Sequence, residues 1–155
     1  MNFELKVALL DHKKTEAELA ELGAKFIVED EVVDTYFNQP SGKVLKVARN
    51  NKGDWLVKLR AAGDGFEHIA KEKLDDAQAV KRKLAEEHGL RRVIQKRRKI
   101  FSYNKYEISV EHVQGLGDFL IIKGDERVPD EVLAKLGLQG SVFVAVPFCD
   151  LKPKR

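Results

Sequence analysis

The 155-residue sequence lacks several features that would place it in a specialised class of protein. It has a single cysteine, Cys149, which excludes an internal disulfide and indicates a reducing, cytoplasmic setting. It has no apolar run near the roughly 20 residues of a membrane span, and its first residues lack the apolar core of a signal peptide. We therefore expect a cytoplasmic protein without a membrane partner.

The common motifs of enzyme active sites are missing as well. The four histidines are His12, His68, His88 and His112, and none has the spacing to another histidine, cysteine or helical carboxylate that a metal site uses. The sequence contains no Walker lysine loop, dinucleotide-binding glycine motif or nucleophile elbow. The function must therefore be sought in the pattern of the charged residues.

Alternation of apolar and polar residues is what the sequence has in abundance. It predicts a strand from Phe3 and further strands at Lys25–Tyr36, Lys43–Asn50, Asp54–Arg60, Phe66–Leu74, Arg91–Tyr103, Tyr106–Val113, Asp118–Lys123 and Val142–Phe148. Short turns between them favour antiparallel pairing. Helices are predicted after Asp11, after Asp76 and at Pro129, each ending close to a glycine. These elements predict one α+β domain over residues 1–155.

Charged side chains occupy alternate positions in several of the predicted strands. The bases are Lys6, Lys46, Lys58, Arg60, Lys96 and Arg98, and the acids are Glu4, Glu72, Glu107 and Glu111. One interpretation is the solvated face of an ordinary antiparallel sheet. The other is a strand barrel with a charged interior, in which acids and bases pair across the barrel.

The densest cluster of charge is Arg91–Lys99, which has six basic residues in nine. One interpretation is a half-exposed strand. Another is an outward-facing stripe that contacts nucleic-acid phosphates or a protein partner. No stacking aromatic residue interleaves the run, since Phe101 and Tyr103 only follow it. A nucleic-acid partner is therefore disfavoured.

Three parts of the sequence carry a family resemblance. The first strand begins Asn2-Phe3-Glu4-Leu5-Lys6, the middle contains Leu45-Lys46-Val47-Ala48, and the later strands contain Lys96-Arg97-Arg98, Glu111 and the turn Gly115-Leu116-Gly117-Asp118-Phe119. In these segments the chain resembles the CYTH superfamily, also called triphosphate tunnel metalloenzymes. That family includes class IV adenylyl cyclases, thiamine triphosphatases and inorganic triphosphatases. The resemblance implies an antiparallel β-barrel of the triphosphate-tunnel type with flanking helices.

The resemblance also implies which side chains line the tunnel. It implies that the residues that bind an anion are Lys6, Lys46, Lys58, Arg60, Lys96 and Arg98. It implies that the residues that bind a metal ion are Glu4, Glu72 and Glu111. Other residues replace the family's carboxylates at Asn2, Ala70, Ile121 and Lys123. The sequence therefore keeps more of the family's basic residues than of its acidic residues. Because Mg²⁺ and Mn²⁺ need several oxygen ligands, the three remaining carboxylates are few for a metal site.

Three functions follow as expectations. The first is a CYTH-like protein that binds a polyphosphate or nucleotide-type anion inside a basic tunnel, needs no cofactor for it, and has weakened or lost metal-dependent catalysis. The second is an active adenylyl cyclase or triphosphate hydrolase that uses Mg²⁺ or Mn²⁺ with a reduced acid set. The third is an RNA-binding or protein-interaction module that uses the strand 91–99 from outside. The sequence leaves open whether the protein is an enzyme.

Overall fold

The computed structural model describes residues 2–153, and within them eight β-strands form one closed antiparallel barrel. The strands are β1 Phe3–Leu9, β2 Lys25–Phe37, β3 Lys43–Asn50, β4 Gly53–Ala62, β5 Gly65–Leu74, β6 Leu90–Tyr103, β7 Tyr106–Val113 and β8 Gly117–Gly124. Around the barrel the order is β1-β5-β4-β3-β2-β6-β7-β8, and β8 pairs with β1 to close it. The predicted α+β class with an antiparallel barrel is confirmed.

Residues 2–153 also form three α-helices, α1 His12–Glu21, α2 Ala77–His88 and α3 Asp130–Lys135. The Asp11 carboxylate caps α1 by accepting hydrogen bonds from the backbone N–H groups of Lys13 and Lys14 at 3.1 and 3.2 Å. The Asp76 carboxylate caps α2 by accepting from the backbone N–H of Ala79 at 3.1 Å. These caps satisfy N–H groups that have no partner inside the helix, which is why the sequence marks both helix starts. Within the described residues no helix has the length and hydrophobicity needed to span a membrane.

The helices cover the outside of the barrel and leave its inside free. Leu19 of α1 and Leu133 of α3 pack with Ile122 of β8 in one apolar cluster. Ala77 of α2 packs with Val47 of β3 in another cluster. Because successive residues of a strand point to opposite faces, the residues between these outward-facing positions point into the barrel.

The C-terminal segment closes one end of the barrel. Its backbone meets β1 where the Val144 N–H donates to the Lys6 carbonyl at 2.7 Å and Phe143 bridges Val7. The 3₁₀ turn Phe148–Asp150 then carries the Phe148 side chain inward, where it is 2% exposed. The predicted strand Val142–Phe148 is therefore wrong. Its apolar residues form a single bridge to the edge of β1 and then a turn that follows Pro147.

The shortest strand pairing in the barrel is the one between β1 and β5, which we call the seam. Their ladder in the described chain consists of Phe3↔Glu67 and Glu4↔Phe66, extended by one hydrogen bond from the His68 N–H to the Asn2 carbonyl at 2.7 Å. Gly65 lies at this seam, and a Cβ atom there would collide with the Glu4 carbonyl and lie 2.7 Å from Leu5 Cδ2. The close approach of the two strands therefore requires glycine at position 65.

We expect the substitution Gly65→Ala to destabilise the protein by about 1–3 kcal/mol, the range for overpacking a well-packed site. The added methyl group forces β1 and β5 apart where few other bonds hold them. Urea denaturation of both proteins measures the change. An unchanged unfolding midpoint would mean that the seam relaxes freely and does not limit stability.

Candidate functional site

The barrel interior contains a cavity of about 70 Å³ that is apolar at one end and charged at the other. At the apolar end, Tyr36, Phe66 and Phe148 lie in one buried cluster. Toward the opposite end the exposed fraction of the side chains rises, to 14% for Arg98 and 22% for Lys123. We call this charged, partly solvated side of the cavity the open end.

Bases outnumber acids in the cavity lining. Among the described residues the lining bases are Lys6, Lys46, Lys71, Lys96, Arg98 and Lys123, and the lining acids are Glu4, Asp34 and Glu111. A further carboxylate, Asp30, is paired with Arg98. The interior therefore carries more positive than negative charge.

A largely buried ion network lies at the centre of the barrel. Lys46 and Lys96 contact the same Asp34 oxygen, Oδ2, at 3.2 and 3.4 Å. Lys96 also contacts Glu111 Oε1 at 2.7 Å, and the Ser109 hydroxyl donates to Glu111 Oε2 at 2.6 Å. Burial opposes all these charges, yet the mutual attraction lowers the pKa of both acids and raises the pKa of both lysines. All four groups therefore stay charged in the folded protein.

Two further acids, which lie nearer the open end, are also paired with basic side chains. Glu4 Oε1 lies 2.8 Å from His68 Nε2. Burial alone would raise the pKa of Glu4, but the hydrogen bond from His68 and the charge of Lys123 hold it well below its usual range. Arg98 forms a bidentate pair with Asp30, with distances of 2.7 and 3.0 Å. Each interior carboxylate thus has a basic partner.

Some of the bases have no such partner. Within residues 2–153 no carboxylate comes within 4.0 Å of Lys6 Nζ, which instead lies 4.0 Å from the centroid of the Phe148 ring. Burial lowers the pKa of Lys6 to about 8. Lys71 lies against Trp55, 4.9 Å from its ring centroid, and burial together with the charge of Lys123 lowers the pKa of Lys71. These lysines can donate to an added anion without breaking an ion pair.

The structure brings together most of the site residues that the sequence predicts. Lys6, Lys46, Lys96, Arg98, Glu4 and Glu111 all line the cavity. Ile121 and Lys123 line it as well, at the positions where relatives are expected to carry carboxylates. The expected inward placement of Lys58, Arg60 and Glu72 is wrong, because all three side chains are exposed on the outer face.

The geometry of β4 and β5 explains these three corrections. In β4 the inward positions are taken by the apolar residues Val57 and Leu59, so the alternate residues Lys58 and Arg60 point outward. In β5 the pairing shifts between Lys58↔Ala70 and Leu59↔His68, which leaves Ile69 as an extra residue. Such a bulge reverses the inside and outside positions beyond it. Lys71 consequently faces the cavity and Glu72 does not.

Sequence reasoning missed several interior residues, above all Asp30 and Asp34. A signal for them exists, because Asp30, Val32, Asp34 and Tyr36 alternate along one face of β2. Lys71 was missed because the bulge at Ile69 leaves no clear mark in the sequence.

The interior acids do not suit a divalent metal ion of the kind that the resemblance implies. Mg²⁺ and Mn²⁺ need several carboxylate or other oxygen ligands that converge on one point. Within residues 2–153 no group of three or more His, Cys, Asp and Glu side chains converges in this way. Asp34, Glu111 and Glu4 each turn toward a lysine or histidine instead. The donor set fits a basic anion site better than a metal centre.

The basic run 91–99 does not form one stripe. Lys96 and Arg98 point into the barrel. On the outside, Arg91 pairs with Asp150, Arg97 with Glu31 and Lys99 with Glu16, at 2.8–3.2 Å. The guanidinium of Arg92 donates to the Leu151 carbonyl at 2.8 Å. The run is thus divided between two faces and its charges are engaged within the protein.

The family model of the CYTH domain matches residues 1–138. The chain therefore belongs to the CYTH domain family, as the resemblance of its motifs indicates. The matched residues include all eight strands and all three helices of the described chain.

Individual proteins resemble this chain in sequence or in fold. A protein of Methanocaldococcus jannaschii, provisionally named adenylate cyclase MJ0240, is 29% identical over 150 residues, covering 86% of this chain and 83% of its own. The structure of PH1012 from Pyrococcus horikoshii OT3 has a TM-score of 0.83 at 24% identity, covering 97% of this chain and 99% of its own. The structure of HpAC1 from Hippeastrum, which is described as having a dominant triphosphatase activity, has a TM-score of 0.58 at 13% identity and covers 89% of each chain.

We expect Lys6→Met to stabilise the protein at pH 7. The folded state holds the Lys6 charge at a cost, since its pKa falls from 10.5 to about 8. That shift corresponds to about 3 kcal/mol. Between pH 8 and 10.5 the unfolded chain binds the proton more tightly, so the wild type gains stability as the pH rises and the advantage of the variant shrinks. Chemical denaturation of both proteins at pH 7 and pH 10 measures this difference. An equal loss of stability in the variant at both pH values would contradict the assignment.

Proposed function

We propose that the protein binds a polyphosphate or nucleotide-type anion at the open end of the barrel, and that this binding needs no divalent metal ion. The observation that carries the proposal is the excess of lysine and arginine over acids in the cavity. Relatives named for adenylate cyclase and triphosphatase activity make a triphosphate-bearing molecule the favoured class of ligand. Metal-dependent catalysis is then weakened or lost.

The charge arrangement supports binding at the open end in particular. Lys71, Lys123 and Arg98 approach the solvent there, and Lys123 reaches its nearest carboxylate, on Glu107, only at 4.0 Å. Hydrogen bonds from a charged donor to phosphate oxygen are about twice as strong as neutral ones. Partial burial also reduces the screening by salt that fully exposed charges experience. An anion here would relieve the repulsion among the three bases.

Deeper residues contribute in a different way. Lys46 and Lys96 are already neutralised by Asp34 and Glu111, so an anion gains little from them unless an acid is displaced or protonated. Lys6 is the exception, since it faces the cavity without a carboxylate within 4.0 Å among residues 2–153. In this proposal Lys6 forms the floor of the site and Lys71, Lys123 and Arg98 form its rim.

We expect inorganic tripolyphosphate to bind in the presence of excess EDTA and to change the fluorescence of Trp55, the single tryptophan. Lys71 lies against the Trp55 ring, so an anion that draws the lysine away alters the surroundings of the indole. The affinity should fall as the salt concentration rises. A titration in EDTA at several salt concentrations measures both effects. Binding that appears only after Mn²⁺ is added would contradict the proposal.

We expect Lys71→Ala and Lys123→Ala each to weaken tripolyphosphate binding by about 1–2 kcal/mol, or roughly 5- to 30-fold, because each removes a charged donor. Lys58→Ala is the matched control, since Lys58 lies on the outer face of the neighbouring β4. Calorimetric titration of the three variants measures the change. Equal affinity in all three would place the ligand elsewhere on the protein.

The alternative function is an active cyclase or triphosphate hydrolase, as the names of the relatives suggest. We expect little Mn²⁺-dependent turnover of ATP or tripolyphosphate, because the interior carboxylates are bound to bases and each missing transition-state contact costs about 10²- to 10³-fold in rate. Product analysis with Mn²⁺ and with EDTA tests this. Rapid turnover that Glu4→Ala abolishes would establish the alternative instead.

A further inference from the structure

Within residues 2–153 the C-terminal segment covers the apolar end of the barrel interior, opposite the open end. Phe148 is inserted from the C-terminal side and is 2% exposed. Its ring packs edge-to-face on Phe119 with the centroids 4.9 Å apart, and it lies 4.0 Å from Lys6 Nζ and 5.3 Å from Lys96 Nζ. The aromatic ring thus forms the bottom of the cavity and contacts the deepest lysines.

The inserted ring is held from outside by two polar contacts. Arg91 pairs with Asp150 at 3.2 Å, and the Arg92 guanidinium donates to the Leu151 carbonyl at 2.8 Å. Both partners lie within three residues of Phe148, and both arginines belong to β6 of the barrel. These contacts connect the segment that carries Phe148 to the barrel wall.

The cavity between the Phe148 ring and the bases of the open end is small as a whole. Its volume of about 70 Å³ corresponds to about two water molecules, since each occupies about 30 Å³ in the liquid. A cavity of about 150 Å³ is known to hold benzene, a ring of six heavy atoms. By this scale the whole cavity accommodates one tetrahedral phosphoryl group and not three in a row.

We infer that the site takes an anion by one free terminal phosphoryl group, and that Phe148 sets how deeply this group enters. This inference rests on the proposed function. The terminal group lies between Lys6 and the bases of the open end, while the rest of the ligand stays outside the barrel. Ligands whose phosphates are capped at both ends are then excluded, whatever their charge.

Wild-type protein tests the need for a free end without any substitution. ATP and diadenosine tetraphosphate both carry several phosphoryl groups and an adenine, but in the second compound nucleosides cap both ends. Calorimetric titration in EDTA should show at least 10-fold weaker binding of the capped compound. Equal affinities would overturn the inference, because they would place the phosphates along the surface of the open end.

Variants at position 148 test whether Phe148 limits how deeply the terminal phosphoryl group enters the cavity. Removing the ring in Phe148→Ala extends the cavity past Lys6 and Lys96, so the affinity ratio of tripolyphosphate to pyrophosphate should rise at least 5-fold over the wild-type ratio. Phe148→Leu keeps more of the apolar packing and should shift the ratio in the same direction by a smaller factor. Lys58→Ala, on the outer face, should leave the ratio unchanged. An unchanged ratio in a folded Phe148 variant would overturn the role of Phe148.

The outcomes separate the inference from the proposed function. If tripolyphosphate does not bind the wild type at all, the proposed function fails and the inference fails with it. If tripolyphosphate binds but the capped compound binds equally well, only the inference fails. Retained binding of tripolyphosphate, with exclusion of the capped compound and a shifted ratio in Phe148→Leu, supports both.

Discussion

The acidic side chains inside the closed barrel are held in ion pairs. Closure removes the inward side chains from water, and an isolated buried charge costs several kcal/mol unless it is paired. Asp34 therefore takes Lys46 and Lys96 as partners, and Glu111 takes Lys96 and the Ser109 hydroxyl. The same contacts that make these acids tolerable inside the barrel turn them away from any metal ion. Stability and metal affinity thus compete for the same oxygen atoms.

Some interior lysines have no carboxylate partner in the described chain, so their burial is not compensated by an ion pair. Lys6 lies next to an aromatic ring and without a carboxylate within 4.0 Å in the described chain, and its burial lowers its pKa to about 8. Burial and the charge of Lys123 likewise lower the pKa of Lys71. A fold selected for stability alone would replace such residues, because apolar side chains of similar size remove the cost. Perturbed pKa values of this kind are concentrated at functional sites, which fits the proposed binding of an anion.

The sequence predicted most of the fold because its local signals agree with one another. Asp11 and Asp76 mark helix starts, and the alternation in Tyr106–Val113 and Lys43–Asn50 matches the observed strands residue for residue. The interior positions of Glu4, Lys6 and Arg98 were predicted through the family resemblance, since alternation alone leaves open which face of a strand is enclosed. Phe148 was not predicted, because a buried turn and a buried strand need the same apolar residues.

The bulge in β5 shows how one backbone irregularity decides the chemistry of the cavity. If Ile69 were paired as a regular strand residue and did not bulge, strict alternation from His68 would bring Ala70 and Glu72 inward and leave Lys71 outside. The cavity would then lose one base and gain one carboxylate, which is the direction of change that a divalent cation requires. The bulge replaces that acid with Lys71 and so makes the open end basic. The excess of bases at the open end, on which the proposed anion binding rests, therefore depends on the register of one strand as much as on the residues that the strand carries.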